Sequence, residues 1–405
     1  MATNTLLTNV EISNEALRVL TNSLKFTKAI GANYSDKFGR AGNKIGATYN
    51  IRKPVQFAQA TGPAFQAQGM TETYTPITLD NWVNRGMQFS TEDMTLSIDL
   101  FSDRFIKPAM ISAANQIDQY NLEKAMSAVN SVVGTPGTEP ATQLDFNTLV
   151  KNSRVRLLNQ LAQPGMLNML GTPDFVGMGS VFNTNVFNPT SGVAEANVKG
   201  YITNWGGFNW YESQIVPMHT VGTYSGTPVV DGADQDGSVI NTKSWGAGST
   251  LNVGDVVTFE GVYAVNAQTK QAYSYLQQFV VTAKNPAGTT HALSVYPALV
   301  ASGPAQNVSA LPADGAGVTV VGTSDEMFAQ ALAFEDDAFA IAVAEFEVPA
   351  NGMGVVMNTS YDPELGMGLT YSKAFDIRSY AELHRIDCLT GFATQRPELA
   401  TRVAF

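Results

Sequence analysis

The residues best suited to catalysis or metal binding are few in this sequence and widely spaced. The histidines are His219, His291 and His384, and none stands in an HExxH or similar spacing that would bring two imidazoles to one metal ion. The single cysteine, Cys388, follows His384 by four residues, but this segment is typical of a strand, where that offset does not give contact. We therefore expect isolated histidines and a buried, inert thiol.

The densest group of acids is Glu335-Asp336-Asp337. Carboxylates that act as an acid–base pair face each other across a cleft, whereas adjacent residues of a strand point to opposite faces. We interpret this group as a solvated turn or a contact between subunits. The sequence also lacks a GxxxxGK[ST] phosphate loop and a GxGxxG motif after a strand. We predict that the protein is not an enzyme and has no cofactor.

The composition limits the remaining classes of function. A chain of 405 residues allows two to three domains. The net charge of -11, with no basic run, argues against a protein that wraps nucleic acid by releasing counterions. No basic and apolar leader begins the chain, and no apolar stretch of about 18 residues follows. We expect neither export by a standard signal nor a membrane span, and the lone cysteine fits maturation in a reducing cytosol.

The first segment, residues 1–47, has the pattern of an amphipathic arm. Ser13 is predicted to cap a helix that carries Leu17, Leu20 and Leu24 on one face. Such a helix could pack on its own domain or reach a neighbouring subunit.

Residues 48–90 are predicted to form a long β-hairpin with an extended tip. Apolar residues alternate on both sides of the segment from Ala58 to Pro76, which is nineteen residues long and carries one charge. A loop of this length in a compact domain usually binds something or is disordered. Its large apolar residues Phe65, Met70 and Tyr74 would be poor choices for a free loop.

Residues 91–130 contain the strongest helical pattern. Apolar residues recur at three- and four-residue steps and predict one helix from about Asp103 to Val129, with Pro108 in or near its first turn. A second helix is predicted from Phe146 to Leu161, with Asp145 as its N-cap. Short apolar runs separated by Gly, Pro and Asn then predict strands and loops up to residue 221.

The composition changes between residues 222 and 324. This block has six acids and three bases, and its turn signals separate runs of strand length that are rich in β-branched and aromatic residues. We predict a small β-barrel or sandwich of about 100 residues. Because the flanking sequence has a different character on both sides, the block is best explained as an insertion into a domain made of residues 131–221 and 325–405.

Several stretches of this chain resemble one family of viral proteins. The sequence GDVVTFEGVYAVNAQTKQ, followed by LQQFVVT, is similar to the inserted domain of the major coat proteins of short-tailed enteric phages and their prophage relatives, which have the Hong Kong 97 capsid fold. The likeness covers nearly the whole chain, and the order of its parts is its most specific feature. Further similar stretches are GGFNWYESQIVPMHT, FEDDAFAIA and GFATQRPELATR at Gly206–Thr220, Phe334–Ala342 and Gly391–Arg402.

The resemblance implies an α+β fold of the Hong Kong 97 type with an inserted all-β domain of immunoglobulin-like or barrel form. Its parts would be an N-terminal arm (1–47), an extended loop (48–90), a spine helix region (91–130), peripheral and axial domains (131–221 and 325–405) and the insertion (222–324).

The implied function is that of a major capsid protein that assembles into the icosahedral shell of a tailed bacteriophage. Its partners would be copies of itself in hexamers and pentamers, a scaffolding protein, a portal protein, a decoration protein and packaged DNA bound without sequence specificity. No membrane partner is expected. The protein would reside in the virion capsid after assembly in the cytoplasm of the host bacterium.

The resemblance also assigns roles to particular residues. Phe65, Met70 and Tyr74 would contact a neighbouring subunit. A loop of the insertion that carries Asp231, Asp234, Asp236 and Lys243 would meet a neighbouring capsomer, with a solvated acidic loop as the alternative. Glu11 and Glu15 would contact the scaffold.

Some relatives weld their shells through a lysine in the extended loop. The tip from Ala58 to Pro76 has no lysine, and Lys53 is predicted to lie on the strand before it. We therefore predict a shell without covalent cross-links.

Three other readings are weaker. An encapsulin-like cellular compartment shares the capsid fold but usually lacks an insertion of this kind. A β-rich hydrolase would need a pair of carboxylates in a cleft, which the sequence does not offer. A secreted adhesin would leave the long helix and the lack of a signal peptide unexplained.

Overall fold

The computed structural model describes residues 9–30, 46–55, 72–90, 102–165, 167–183, 204–346, 355–363, 365–378 and 381–405. The helices within this part are α1 (Asn9–Ser23), α2 (Phe26–Ile30), α3 (Lys107–Ala128), α4 (Gln143–Asn159) and α5 (Pro173–Asn183). The strands are β1 (Thr48–Arg52), β2 (Tyr74–Ser90), β3 (Val132–Gly134), β4 (Leu167–Gly171), β5 (Asn204–Trp205), β6 (Phe208–Glu212), β7 (His219–Thr220), β8 (Gly226–Val230), β9 (Gly237–Trp245), β10 (Val256–Val265), β11 (Ala272–Val281), β12 (His291–Leu299), β13 (Val318–Val320), β14 (Met327–Phe328), β15 (Gln330–Glu335), β16 (Phe339–Ala344), β17 (Val355–Asp362), β18 (Met367–Asp376), β19 (Ala381–Thr394) and β20 (Ala400–Ala404).

The chain divides into two compact units. The first contains residues 1–51, 74–122 and 339–395, and the second contains residues 52–73, 123–338 and 396–405. Both units are therefore assembled from separated stretches of sequence.

A six-stranded sheet forms the first unit. Its order is β1-β2-β19-β18-β17, and β16 pairs with β19 beside it. The strands β2, β16 and β18 all run antiparallel to β19. One buried cluster joins four of these strands. It consists of Ile51 of β1, Ile77 and Leu79 of β2, Ala340, Ala342 and Ala344 of β16, and Leu389 and Ala393 of β19.

Helix α1 packs on this sheet with its apolar side. Leu17, Leu20 and Leu24 are buried, and α1 contacts β17 and β18 of the same unit. This is the first of the two alternatives that the sequence leaves open, a helix packed on its own domain.

Ser13 lies inside α1 and does not cap it, so the expected N-cap is wrong. Its hydroxyl donates to the carbonyl of Val10, as a serine within a helix commonly does. It also accepts hydrogen bonds from Asn358 at 2.5 Å and Ser360 at 2.8 Å on β17.

The long helix expected from Asp103 to Val129 is confirmed. A π-helical turn at Ser102–Ile106 leads directly into α3, which ends at Ala128. Pro108 is the second residue of α3, directly after the π-helical turn, so the expected break in or near this position is a change of helix type.

A second six-stranded sheet, which we call the main sheet, forms part of the second unit. Its order is β3-β20-β15-β4-β6-β5, with β3 parallel to β20 and β4 parallel to β6. Beside it, Phe146 of α4 stacks with Trp205 of β5 and Trp210 of β6, and Phe175 of α5 stacks with Trp210. These rings form the aromatic core between the helices and the sheet.

Helix α4 begins one turn earlier than predicted. Thr142 is its N-cap, and Asp145 is the third helical residue; the two form a reciprocal capping box. The expected cap at Asp145 is therefore wrong, because Thr142 already accepts the hydrogen bond from the Asp145 amide.

The strands β8 to β13 form a barrel, also in the second unit. Their order is β13-β10-β11-β12-β9-β8, and a bridge between Val229 and Gly317 joins the first and last of these strands. The Val230 amide donates to Ala316 at 2.9 Å and reinforces this closure. Closure pairs both edges of the sheet, which would otherwise offer free backbone groups.

The chain enters and leaves the barrel through a two-stranded stem of β7 and β14. His219 pairs with Phe328, and Thr220 pairs with Met327. The six barrel strands all lie between residues 222 and 324, and the α+β class expected from the sequence is confirmed.

Candidate functional site

Buried carboxylates, histidines and the cysteine are the natural place to look for chemistry, and most of those described have a structural role. Cys388 donates to the carbonyl of Gly368 at 3.3 Å, and burial raises the pKa of its thiol to about 12. A thiol of this kind is not a nucleophile at neutral pH. His384 lies on the same strand and is bonded to the Tyr371 hydroxyl at 2.5 Å.

The other two histidines are also parts of the packing. His219 Nε2 lies 2.8 Å from Asp255 Oδ1, next to the stem. His291 is buried in the barrel edge-on to Trp245, and burial lowers its pKa. Among the residues described, no group of three or more His, Cys, Asp or Glu is arranged to hold a metal ion.

The acidic group at Glu335 is only partly the solvated turn that we expected. Glu335 ends β15 and is 3% exposed, and its Oε2 has no hydrogen-bond partner in the described part of the chain. Asp336 accepts a hydrogen bond from Asn168 of β4. Burial raises the pKa of both carboxyl groups, and Asp337 beside them adds to the rise. The strand pattern of alternating faces ends here because residues Asp336–Ala338 form a 3-10 turn.

The expected scaffold contact lies on α1. Glu11 is exposed in its first turn. Glu15 is half-buried and accepts hydrogen bonds from Arg18 at 2.7 and 2.8 Å and from Ser102 at 2.8 Å. The hydrogen bond from Arg18 is the largest of the effects that lower the pKa of Glu15. Glu15 is thus already engaged within its own chain.

The extended loop is described at its base only. Phe65 and Met70 lie outside the described residues. Tyr74 is the first residue of β2 and is 64% exposed, so it belongs to the strand and not to the tip. Lys53 was expected on the strand, but β1 ends one residue earlier, at Arg52. Pro54 has no N–H and therefore cannot extend the strand pairing.

The charged loop between β8 and β9 contains a neutralised part and an acidic part, and Lys243 lies on β9, not in the loop where it was expected. Lys243 Nζ lies 2.8 Å from Asp231 and 3.3 Å from Asp314. The pKa of Asp314 is lowered, first by the Gly232 amide and then by Lys243. Asp234 has a φ of 57° and donates its amide to Pro312. The structure thus brings Asp231 and Lys243 together, while Asp234 and Asp236 have no ion-pair partner in the described residues.

The sequence reasoning missed two acids that contact distant segments of the chain, Asp314 and Asp118. Asp314 lies in a loop 71 residues from Lys243, and only a closed barrel would reveal their contact. Asp118 of α3 accepts hydrogen bonds from the amides of Lys25, Phe26 and Thr27 and from the Thr27 hydroxyl, at 2.6 to 3.2 Å. It caps α2 from another helix. Its only sequence signal is an acid on the apolar side of a predicted helix.

None of the described helices is both long and apolar enough to cross a lipid bilayer.

One protein family matches nearly the whole chain. The model of the P22 coat protein family (gene protein 5) matches residues 1–403. No curated protein matches the chain. Solved structures similar to it include one from Mycobacterium phage Che8, with 11% identity over 94% of this chain and 90% of the other and a TM-score of 0.47. The capsid of the cyanophage P-SCSP1u has 10% identity over 91% and 86% and a TM-score of 0.44. The CUS-3 coat protein I-domain has 27% identity over 24% of this chain and 96% of that domain, with a TM-score of 0.20.

Proposed function

Because this chain belongs to the P22 coat protein family, it is a major capsid protein of a tailed phage, and we propose that its copies close into an icosahedral shell around double-stranded DNA. The observation that carries this proposal is the family match over residues 1–403. The encapsulin-like alternative is not favoured. The β-rich hydrolase remains the weaker alternative: adjacent Glu335 and Asp336 do not face each other across a cleft, and Asp336 is hydrogen-bonded to Asn168.

The chain assembles with copies of itself into capsomers. Further partners belong to the proposal: hexamers and pentamers form around a scaffolding protein, with a portal protein at one vertex and a decoration protein outside. Packaged DNA would be held without sequence-specific contacts, which the net charge of -11 supports, because a protein rich in acids binds phosphate weakly. Assembly would take place in the host cytoplasm, and the coat would have no enzymatic activity.

Three surfaces are proposed to meet other subunits or the scaffold. The tip that contains Phe65 and Met70, with Tyr74 at its base, would lie on a neighbouring subunit. Its low charge supports a contact that is buried in the assembly. Asp234 and Asp236 of the barrel loop would face a basic partner on a neighbouring capsomer, and Glu11 and Glu15 of α1 would face a basic helix of the scaffold.

The experiment that tests the shell proposal is expression of the chain alone and then with the scaffold encoded beside it. We expect closed particles or regular tubes in negative-stain electron microscopy and in sedimentation. Particles in the second culture alone would show that curvature needs the scaffold. A monomer under both conditions would contradict the proposal.

A further inference from the structure

The barrel is fastened to the rest of the second unit along β11. The side chain of Gln278 on this strand makes two hydrogen bonds to the backbone of one residue of β3: its Oε1 accepts from the Val132 amide at 2.8 Å, and its Nε2 donates to the Val132 carbonyl at 3.0 Å. In return, Asn130 Nδ2 donates to the Gln278 carbonyl at 2.9 Å. A primary amide offers the same donor and acceptor as a peptide group, so this pair reproduces the bonding of a neighbouring strand.

The position of Val132 gives the contact its importance. β3 is the terminal strand of the main sheet and pairs with β20 on one side. Val132 is 5% exposed, so its backbone groups on the other side are out of reach of solvent. Buried peptide groups without partners are costly, and Gln278 supplies the partners.

Two further contacts hold the same strand. The Tyr273 hydroxyl donates at 3.2 Å to the carbonyl of Asn159, the last residue of α4. The guanidinium of Arg156 lies 3.7 Å from the centre of the Tyr275 ring. The ring of Tyr275 stacks on that of Tyr273, which ties the two contacts together.

The apolar packing is continuous between the barrel and the main sheet, along the contact that we call the seam. The cluster of buried residues that fills the barrel also includes Val132 of β3 and Ala404 of β20. Next to it, the fully buried Arg402 of β20 donates to the carbonyl of Gly254 at 2.8 Å, just before β10.

We propose that Gln278 is a positioning residue whose amide acts as a substitute strand on the edge of the main sheet, so that the barrel and this sheet move as one rigid piece. The barrel would then keep a fixed orientation relative to the main sheet, unlike a domain on a flexible linker. This inference does not depend on the proposed shell, since it concerns the isolated chain.

Hydrogen exchange of the full-length chain tests the proposal. Gln278→Met keeps the length and bulk of the side chain but removes both hydrogen bonds. We expect the Val132 amide to exchange at least ten times faster in this variant. The Val281 amide, which donates to Asp255 at 2.8 Å within the barrel, should keep its rate. Gln235→Met is the matched control, because the Gln235 side chain bonds to Asp231, Gly232 and Asn241, all within the barrel.

Two outcomes would overturn the proposal. The first is an unchanged exchange rate at Val132. The second is an equal acceleration at Val132 and Val281, which would mean that the substitution merely weakens the barrel. If Gln278→Met does not fold, Gln278→Asn serves instead: its shorter amide cannot reach both backbone groups, and the same difference between the two amides is expected.

Thermal unfolding tests the rigid connection itself. We expect one transition for the native chain. The variant that combines Gln278→Met with Tyr273→Phe and Tyr275→Phe should show two, because it removes the side-chain hydrogen bonds from β11 to β3 and α4 and keeps those of Asn130 and Arg402. A single transition in that variant, or two in the native chain, would contradict a rigid connection.

Discussion

At the scale of single residues, Asp118 shows how one carboxylate can decide the place of a helix. It is buried, which raises its pKa, and the hydrogen bonds from Thr27, Lys25 and Phe26 oppose that rise. Asp118 on α3 thereby accepts hydrogen bonds from the free amides at the start of α2. The dipole of α2 also favours a negative charge at this end.

Asp118→Asn should destabilise the first unit by about 2–3 kcal/mol, because hydrogen bonds to a charged acceptor are lost and a buried amide group is left without a partner. Urea unfolding measures this difference. Asp103→Asn is the control: Asp103 is an exposed acid whose partner is Lys107, and surface pairs of this type contribute less than about 1 kcal/mol. Equal effects of the two substitutions would argue against the capping role.

Glu335 gives a prediction for pH. Burial raises its pKa, because the folded state favours the neutral carboxyl. The stability that this group contributes is therefore fully present below the ordinary glutamate pKa and is lost as the pH rises through the raised pKa of the folded state. Glu335→Gln should therefore be more stable than the native chain at neutral pH, and this advantage should shrink as pH falls towards 4. The melting temperature measured from pH 4 to 7 checks this.

The matched control for this measurement is the exposed Glu139. Glu139→Gln should leave the difference between neutral and acidic pH as it is in the native chain. A gap between Glu335→Gln and the native chain that does not change with pH would count against the buried, protonated carboxyl.

At the scale of elements, the capping box of α4 is a local device with a measurable effect. Thr142→Ala removes the acceptor of the Asp145 amide and should cost about 0.5–2 kcal/mol. Thr148→Ala, at an exposed position within the same helix, should be neutral or slightly stabilising, since alanine has the higher helix propensity. Denaturant unfolding of both variants compares them, and a larger loss for Thr148 would contradict the assignment of the cap.

The acidic loop between β8 and β9 yields a prediction about assembly. Asp236→Lys combined with Asp234→Asn removes its uncompensated charge, and asparagine tolerates the positive φ of residue 234. We expect a several-fold lower yield of shells with an unchanged melting temperature of the free subunit. The effect should be largest at low salt, where charges are least screened.

Glu260→Lys is the control for this loop, because Glu260 is an exposed acid on β10. Its shells should form at the normal yield. If the loop variant also assembles normally, the loop is solvated and the inter-capsomer role is wrong.

Elements with a strong local pattern could be predicted from the sequence, and long-range partners could not. The period of apolar residues gave the position of α3, and the turn signals between residues 222 and 324 gave a β block, because both depend on neighbouring residues. The cap at Thr142 was misplaced by one turn, since Thr142 and Asp145 are both good caps and only their reciprocal bond decides. Asp118 and Gln278 act on segments 91 or more residues away, which no local spacing encodes.

At the scale of the whole molecule, we predict a shell without covalent cross-links, because the tip from Ala58 to Pro76 contains no lysine. The lysine nearest to the tip in sequence, Lys53, lies before it, next to the end of β1. Mature particles should therefore run on a denaturing gel as one band near 43.3 kDa. A ladder of covalent multimers would contradict this, and the same gel with Lys53→Ala would then show whether Lys53 forms the bond.

The stem has a consequence for how such a chain can be altered. Thr220 pairs with Met327, and the Val221 amide donates to the carbonyl of Glu326 at 2.9 Å, so the two points where the barrel joins the chain lie side by side. A different module whose own ends are close together could be spliced at this place without rerouting the flanking strands. Removing the barrel would leave the edge of β3 without Gln278, so the new module should supply an amide in its place. The stem is thus a natural splice point for building new surfaces on this chain.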